Sequence, residues 1–128
     1  MSKILIVHSI DANEATKPII RKLRENDLDC LTYQDELRLC RLGSVIATEL
    51  ERMVISATIV LVFASPQMVN DHRALYLINR ASEIGNLFTV TFPDYDGKGL
   101  PANFFKAPVT LVFQPGSEAL VNKLVSLF

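Results

Sequence analysis

The hydrophobic residues of the chain fall into short runs that are typical of β-strands. The strongest are residues 3–8 and 58–63, whose consecutive apolar residues show no polar alternation and therefore indicate strands covered on both faces. Residues 87–92 and 109–113 have the same character, and residues 30–33 are a weaker candidate that fits an edge strand. The pattern therefore predicts five strands.

Between these runs, apolar residues recur at helical spacing. Amphipathic helices are predicted around residues 15–23, 46–54, 74–81 and 120–128, with a short helical turn over residues 102–106. Asp11 is the expected cap of the first helix, and Asn70 or Asp71 that of the third. Strands that alternate with helices need crossover connections, so the sequence predicts an α/β fold: an open, mostly parallel five-stranded sheet with helices on both faces, as in flavodoxin.

Composition narrows the class of protein. The 128 residues are 49% hydrophobic and carry 13 Lys and Arg against 14 Asp and Glu, a net charge of -1. This composition argues against disorder, and the near-neutral charge predicts no nucleic-acid partner. The apolar runs are far shorter than the ~20 residues that span a bilayer, so no membrane insertion is expected. We expect one cytoplasmic domain over residues 1–128, cut from a longer protein.

The motifs of common ligand sites are absent. Residues 9–14, which follow the first strand, contain no glycine and so form neither a dinucleotide-binding loop nor a phosphate-binding loop. His8 and His72 have no metal-ligand spacing, and we expect no metal and no cofactor. Cys30 is expected to be a buried small hydrophobe. Cys40, beside Arg38 and Arg41, is either a redox-responsive thiol or an inert one.

The order of several stretches carries a family resemblance. Residues 4–11 form a strand that ends in a serine and an acid, and residues 31–37 lead into a loop that ends at Gly43. Residues 56–65 contain a small residue, then an apolar strand, then a serine. Residues 88–93 form the fourth strand, and Leu100 and Pro101 form the turn after it. Together these stretches resemble the Toll/interleukin-receptor (TIR) superfamily, including its SEFIR relatives. The resemblance implies the flavodoxin-like TIR architecture.

Two departures from the TIR pattern bear on activity. The loop before Gly43 lacks the proline that many receptor TIR domains carry. TIR domains that cleave NAD place a glutamate in the third helix, a position that corresponds here to Tyr76 or Leu77. The nearest acid, Glu83, comes one to two turns later, and the chain has no Trp. A carboxylate is needed to stabilise the charge on the ribose as nicotinamide leaves, so we expect no NAD hydrolysis and no enzyme.

The connection over residues 34–43 is the first candidate for partner binding. It has ten residues, longer than usual, and it combines acids, arginines and leucines, a mixture suited to protein binding. In TIR-like domains the corresponding loop is the usual docking element. The candidate residues are Asp35, Glu36, Leu37, Arg38, Leu39, Arg41, Leu42 and Gly43. The alternative is that the three leucines simply pack onto the core.

The third helix offers a second candidate surface at Asp71, His72, Arg73 and Tyr76, and the alternative is that this is an ordinary solvated face. The resemblance implies a signalling adaptor, as in innate immunity, that self-associates or binds another TIR-like domain. The alternatives are an enzyme that acts on NAD or a related nucleotide, with an acid supplied by Glu83 or a partner subunit, and a flavodoxin-like binder of a small ligand.

Overall fold

The secondary structure follows the predicted alternation. The computed structural model describes residues 3–38, 43, 45–113 and 118–127. The strands are β1 (Lys3–Val7), β2 (Asp29–Thr32), β3 (Ile59–Phe63), β4 (Leu87–Thr91) and β5 (Val109–Val112). The helices are α1 (Asn13–Glu25), α2 (Tyr33–Arg38), α3 (Ile46–Ser56), α4 (His72–Ile84) and α5 (Ala119–Ser126). Short 3-10 helices cover Ile10–Ala12, Pro66–Asn70 and Ala102–Lys106, the last where a helical turn was predicted.

The five strands form one sheet in the order β2-β1-β3-β4-β5. Every neighbouring pair is parallel, with Ile4 of β1 opposite both Cys30 of β2 and Ile59 of β3. The predicted α/β class is confirmed, and β2 is an edge strand as expected. Because all strands run in the same direction, their carboxyl ends lie along one edge of the sheet, where open α/β sheets bind ligands.

Two hydrophobic clusters cover the two faces of the sheet. Leu5 and Val7 of β1 point into the cluster that contains α3 and α4, whereas Ile4 and Ile6 point into the cluster that contains α1 and α5. All five residues of β3 are buried. This two-sided burial explains why the strand sequences are continuously apolar, and each fully buried aliphatic side chain contributes about 1.5–3 kcal/mol.

Helix α2 is the element that the sequence analysis missed, because residues 34–43 were expected to form a loop. The Thr32 hydroxyl accepts a hydrogen bond from the backbone N–H of Asp35 at 3.1 Å and so caps this helix. Asp35 and Glu36 lie in its first turn and Arg38 in its last, which suits the helix dipole. Asp35, Glu36 and Arg38 of the predicted loop therefore belong to a short helix.

Helix α4 has well-formed ends. Asp71 is its N-cap, as one of the two predicted alternatives proposed, and its side chain accepts from the backbone N–H of Ala74. Gly85 ends the helix with a φ of 93°, a left-handed conformation that favours glycine.

Cys30 is buried, as expected for a small hydrophobic residue, and the burial raises the pKa of its thiol. In the described part of the chain, no helix combines the length and hydropathy needed to cross a membrane.

Candidate functional site

The carboxylate of Asp71 contacts the residues that follow the carboxyl ends of β1 and β2. Asp71 Oδ2 accepts hydrogen bonds from the Ser9 hydroxyl, just after β1, and from the Tyr33 hydroxyl, just after β2, each at 3.0 Å. Its Oδ1 accepts from the Ala74 backbone N–H at 3.1 Å. Because both oxygens accept hydrogen bonds, the carboxylate is held in one orientation, and its remaining lone pairs can accept from a ligand.

A second carboxylate joins the loops after β1 and β3. Asp11 Oδ1 accepts from the Ser65 hydroxyl at 2.6 Å, and Asp11 Oδ2 accepts from the Gln67 backbone N–H at 3.2 Å. The sequence analysis expected Asp11 to cap the first helix. It instead lies in the 3-10 helix that precedes α1 and ties two loops of the strand edge together.

These loops surround a cavity of about 480 Å³, the strand-tip cavity. Its lining residues are Ser9, Ile10, Tyr33, Gln34, Gln67, Asn70, Asp71, His72 and Arg73. Tyr33 is buried, and this burial, together with the adjacent Asp71 carboxylate, raises the pKa of its hydroxyl. The cavity therefore combines an oriented carboxylate with exposed His72 and Arg73, an arrangement that suits a polar ligand carrying hydroxyl groups.

Asp71 has a larger role than its sequence context indicated. From the sequence it was a candidate helix cap and part of the candidate surface of the third helix, whereas Glu83 was the acid compared with the position expected for catalysis. The available signal was the place of Asp71 in the loop after β3, at the carboxyl edge of a parallel sheet. The pairing of Asp71 with Ser9 and Tyr33 depends on side-chain orientation, which no sequence pattern specifies.

The candidate residues of α2 separate into an outer and an inner set. Asp35 and Arg38 are paired at 3.1 Å on the outer side. Glu36 is only 5% exposed and pairs with Lys3 at 2.6 Å, and Leu37 packs against the core. Glu36 and Leu37 therefore stabilise the fold, and the packing alternative applies to Leu37.

In the connection between α2 and α3, the structure describes Gly43 and Val45. Leu39, Arg41 and Leu42, together with Cys40, lie outside the described residues. Gly43 is exposed with a φ of 88°, so a side chain there would be strained. Val45, 65% exposed, and Ile46 follow it and present apolar side chains to solvent.

The residues of α4 that were compared with the catalytic glutamate point away from the strand-tip cavity. The Tyr76 hydroxyl donates to Glu51 Oε2 of α3 at 2.9 Å, and Arg80 Nε donates to the same oxygen at 2.6 Å. The hydrogen bonds from Arg80, and then from Tyr76, lower the pKa of Glu51. Glu83 pairs with Arg80, and Leu77 is 0% exposed within the core. Arg73 is the α4 candidate that lines the cavity.

The structure was searched for groups of three or more His, Cys, Asp or Glu side chains that could hold a metal ion. There is no such group in residues 3–38, 43, 45–113 and 118–127.

The fold is shared with known proteins of different activities. No family model and no curated protein matches the sequence. A metazoan TIR-STING receptor from C. gigas is 12% identical with a TM-score of 0.66, and the match covers 96% of this chain but only 38% of the receptor. A 2-deoxyribosyltransferase from Bacillus psychrosaccharolyticus is 13% identical with a TM-score of 0.60, over 97% of this chain and 90% of the enzyme. At these identities the likenesses show the fold alone: an α/β flavodoxin-like fold that occurs in a TIR receptor and in a nucleoside-modifying enzyme.

Proposed function

We propose that the chain is a TIR-type interaction domain of a cytoplasmic signalling adaptor, which associates with a second copy of itself or with another TIR-like domain. The docking surface comprises the outer side of α2, the connection to α3 and the start of α3. The observation that carries the proposal is the pair of exposed aliphatic side chains, Val45 and Ile46, directly after this connection.

The composition of this surface supports protein binding. Arg38 and Asp35 lie exposed before the connection, and the aliphatic pair lies after it. Apolar anchors flanked by arginine and acids are suited to protein interfaces, where anchors supply affinity and charges set orientation. The fold likeness to the TIR-STING receptor supports the same class.

Sedimentation velocity of the whole chain over a concentration series up to about 1 mM tests self-association. The double variant Arg38→Glu/Val45→Asp is expected to shift the chain to monomer with its melting temperature unchanged, because both side chains are exposed. A matched control is Lys106→Glu/Ile55→Asp, since Lys106 is exposed on the 3-10 helix before β5 and Ile55 is 64% exposed on another side of α3. A wild-type chain that stays monomeric throughout contradicts self-association, and equal association of both variants contradicts this surface.

A second candidate function is supported by Asp71. A carboxylate held at the strand edge is suited to stabilise positive charge on a ribose during cleavage of a glycosidic bond. The likeness to the 2-deoxyribosyltransferase is consistent with such chemistry in this fold. The adaptor proposal includes the absence of NAD hydrolysis. What supports that part is that the position where a glutamate is expected holds Tyr76 or the buried Leu77, neither of which is a carboxylate.

Incubation of the concentrated chain with NAD, and separately with 2′-deoxyadenosine, distinguishes the two candidates. We expect no free nicotinamide or adenine by chromatography. Release that is lost in Asp71→Asn would establish the enzyme in place of the adaptor. Release that is lost in Glu83→Ala instead would assign the chemistry to α4.

A further inference from the structure

A second cavity, the α1–β2 groove, is lined by Asp35 and Arg38 of the proposed docking surface and by other residues to which the proposed function gives no role. It lies beside α1, β2 and α2, and it has a volume of about 960 Å³, within the range of about 300–1,000 Å³ common for small-molecule sites. The groove adjoins the strand-tip cavity, with which it shares Ile10 and Gln34. The lining residues that matter here are His8, Arg21, Arg24 and Gln34.

A buried imidazole lies in the groove with one nitrogen unused. His8 is only 5% exposed, and its Nδ1 lies 3.0 Å from the Ser9 carbonyl oxygen. Nδ1 therefore carries a proton and donates it to that oxygen, so Nε2 of the neutral ring is an acceptor. In the described part of the chain nothing donates to Nε2. This nitrogen can therefore accept a hydrogen bond from a hydroxyl or amino group of a ligand in the groove.

Gln34 adds a second unsatisfied acceptor. Its Nε2 donates to the His8 carbonyl oxygen at 2.8 Å, which fixes the orientation of the amide. Its Oε1 is buried and has no partner among the described residues. The inner part of the groove thus holds one buried acceptor without a donor, Gln34 Oε1, beside the accepting nitrogen of His8, so it suits a ligand that carries hydrogen-bond donors.

The outer part of the groove is cationic. Arg21 and Arg24 lie on adjacent turns of α1 and are exposed, and no described carboxylate pairs with either of them. Arg24 donates from Nε and Nη2 to the Cys30 carbonyl oxygen, which holds its guanidinium along β2 without neutralising its charge. Two carboxylates, Glu25 and Asp35, also line the groove, and Asp35 is paired with Arg38. Paired guanidinium groups favour phosphate over a singly charged carboxylate.

We propose that the α1–β2 groove binds a phosphate monoester of a hydroxylated organic group, with the phosphate on Arg21 and Arg24 and a donor group on His8 Nε2. Because His8, Gln34, Arg21 and Arg24 line one cavity, a single molecule can contact both the inner acceptors and the outer guanidinium groups. Sugar phosphates and nucleoside monophosphates share this chemistry.

Isothermal titration of the whole chain with four probes tests the proposal: ribose 5-phosphate, adenosine 5′-monophosphate, adenosine and inorganic phosphate. At least one phosphate ester is expected to bind about tenfold or more tightly than adenosine and inorganic phosphate, because only the ester reaches both ends of the groove. The ester that binds more tightly shows whether the groove prefers a sugar phosphate or a nucleoside monophosphate. Absence of ester binding up to about 1 mM, or equal binding of inorganic phosphate, overturns the proposal.

Variants locate the site. Arg21→Glu and His8→Phe are each expected to weaken ester binding about tenfold or more, whereas Lys106→Glu, the same charge change on the opposite face of the sheet, leaves it unchanged. Arg21 is exposed, so its variant remains informative if the buried His8 variant does not fold. Binding that survives Arg21→Glu overturns the proposal. If that binding is lost in Asp71→Asn, the ligand lies in the strand-tip cavity instead.

Discussion

Asp71 shows how one side chain serves both a helix and the edge of the sheet. It caps α4 and also accepts from the hydroxyls of Ser9 and Tyr33, both of which are buried. Asp71→Ala is expected to lower the free energy of unfolding by about 2–4 kcal/mol, because the helix loses its cap and two buried hydroxyls lose their acceptor. Urea denaturation measures the change.

The control for this prediction is Asp94→Ala, since Asp94 is exposed in the loop after β4. Its change is expected to stay within about 0.5 kcal/mol. Equal effects of the two substitutions would show that the hydrogen bonds to Asp71 contribute no net stability.

Tyr33 gives the same cluster a dependence on alkaline pH. Burial and then the Asp71 carboxylate raise the pKa of this hydroxyl in the folded chain, whereas an unfolded tyrosine loses its proton near pH 10. Above about pH 10 the unfolded chain therefore binds fewer protons than the folded chain, and stability falls as the pH rises through the folded pKa. Below that window the contribution of Tyr33 is fully present.

Tyr33→Phe removes this contribution, so its unfolding free energy is expected to decline less steeply than that of the wild type above about pH 10. Urea denaturation of both chains between about pH 7 and pH 11 measures the difference. Tyr76 and Tyr95, which also have raised pKa values, are present in both chains and cancel in the comparison. Parallel pH profiles would contradict the raised pKa of Tyr33.

At the scale of elements, the sequence was sufficient for those with a long periodic pattern. All five strands and the helices α1, α3, α4 and α5 follow from apolar spacing, because burial on one face or two imposes that spacing. Helix α2 has six residues, fewer than two turns, and directly follows the apolar residues of β2. Its capping Thr32 and its charge order were the available signals, but they are weak beside tertiary contacts.

Glu36 makes one of the tertiary contacts that hold α2 on the sheet, beside those of Tyr33 and Leu37. It is buried, it pairs with Lys3 of β1 at 2.6 Å, and Arg52 of α3 lies 3.8 Å from its other oxygen. Glu36→Ala is expected to lower the free energy of unfolding by about 1–3 kcal/mol, since the partners lose a buried acceptor but reach water. Thermal and urea unfolding measure the loss.

An exposed glutamate provides the comparison for Glu36. Glu14 forms an ion pair with Lys17 on the surface of α1, and Glu14→Ala is expected to change stability by less than about 1 kcal/mol. If both substitutions have equally small effects, α2 does not depend on its buried ion pair.

At the scale of the molecule, the edge formed by the carboxyl ends of the strands could be located from sequence, but the side chains that lie at this edge could not. A parallel sheet predicts where loops converge, and residues 9–14 were accordingly considered from sequence, whereas Arg73 was a candidate only as part of the third helix. Which side chains turn inward depends on packing. Glu36 is buried and Tyr76 contacts Glu51, although sequence alone gave both as surface candidates. Asp71 is the converse case, because its role depends on two hydroxyls from distant parts of the chain.

Leu77 links the family resemblance to the stability of the whole fold. The TIR pattern puts a catalytic glutamate at this position or at Tyr76, yet Leu77 is fully buried in the cluster that covers one face of the sheet. A carboxylate there would lose its hydration without gaining a cation, which costs several kcal/mol, a large part of the about 5–15 kcal/mol that stabilises a typical domain. Leu77→Glu is therefore expected to unfold the chain or to lower its melting temperature steeply, whereas Leu77→Met, which conserves volume, costs less than about 1.5 kcal/mol. Circular dichroism melting of both variants measures this contrast. A Leu77→Glu chain that melts near the wild type and releases nicotinamide from NAD would show that the position faces a catalytic cleft, and the adaptor proposal would have to give way to the enzyme.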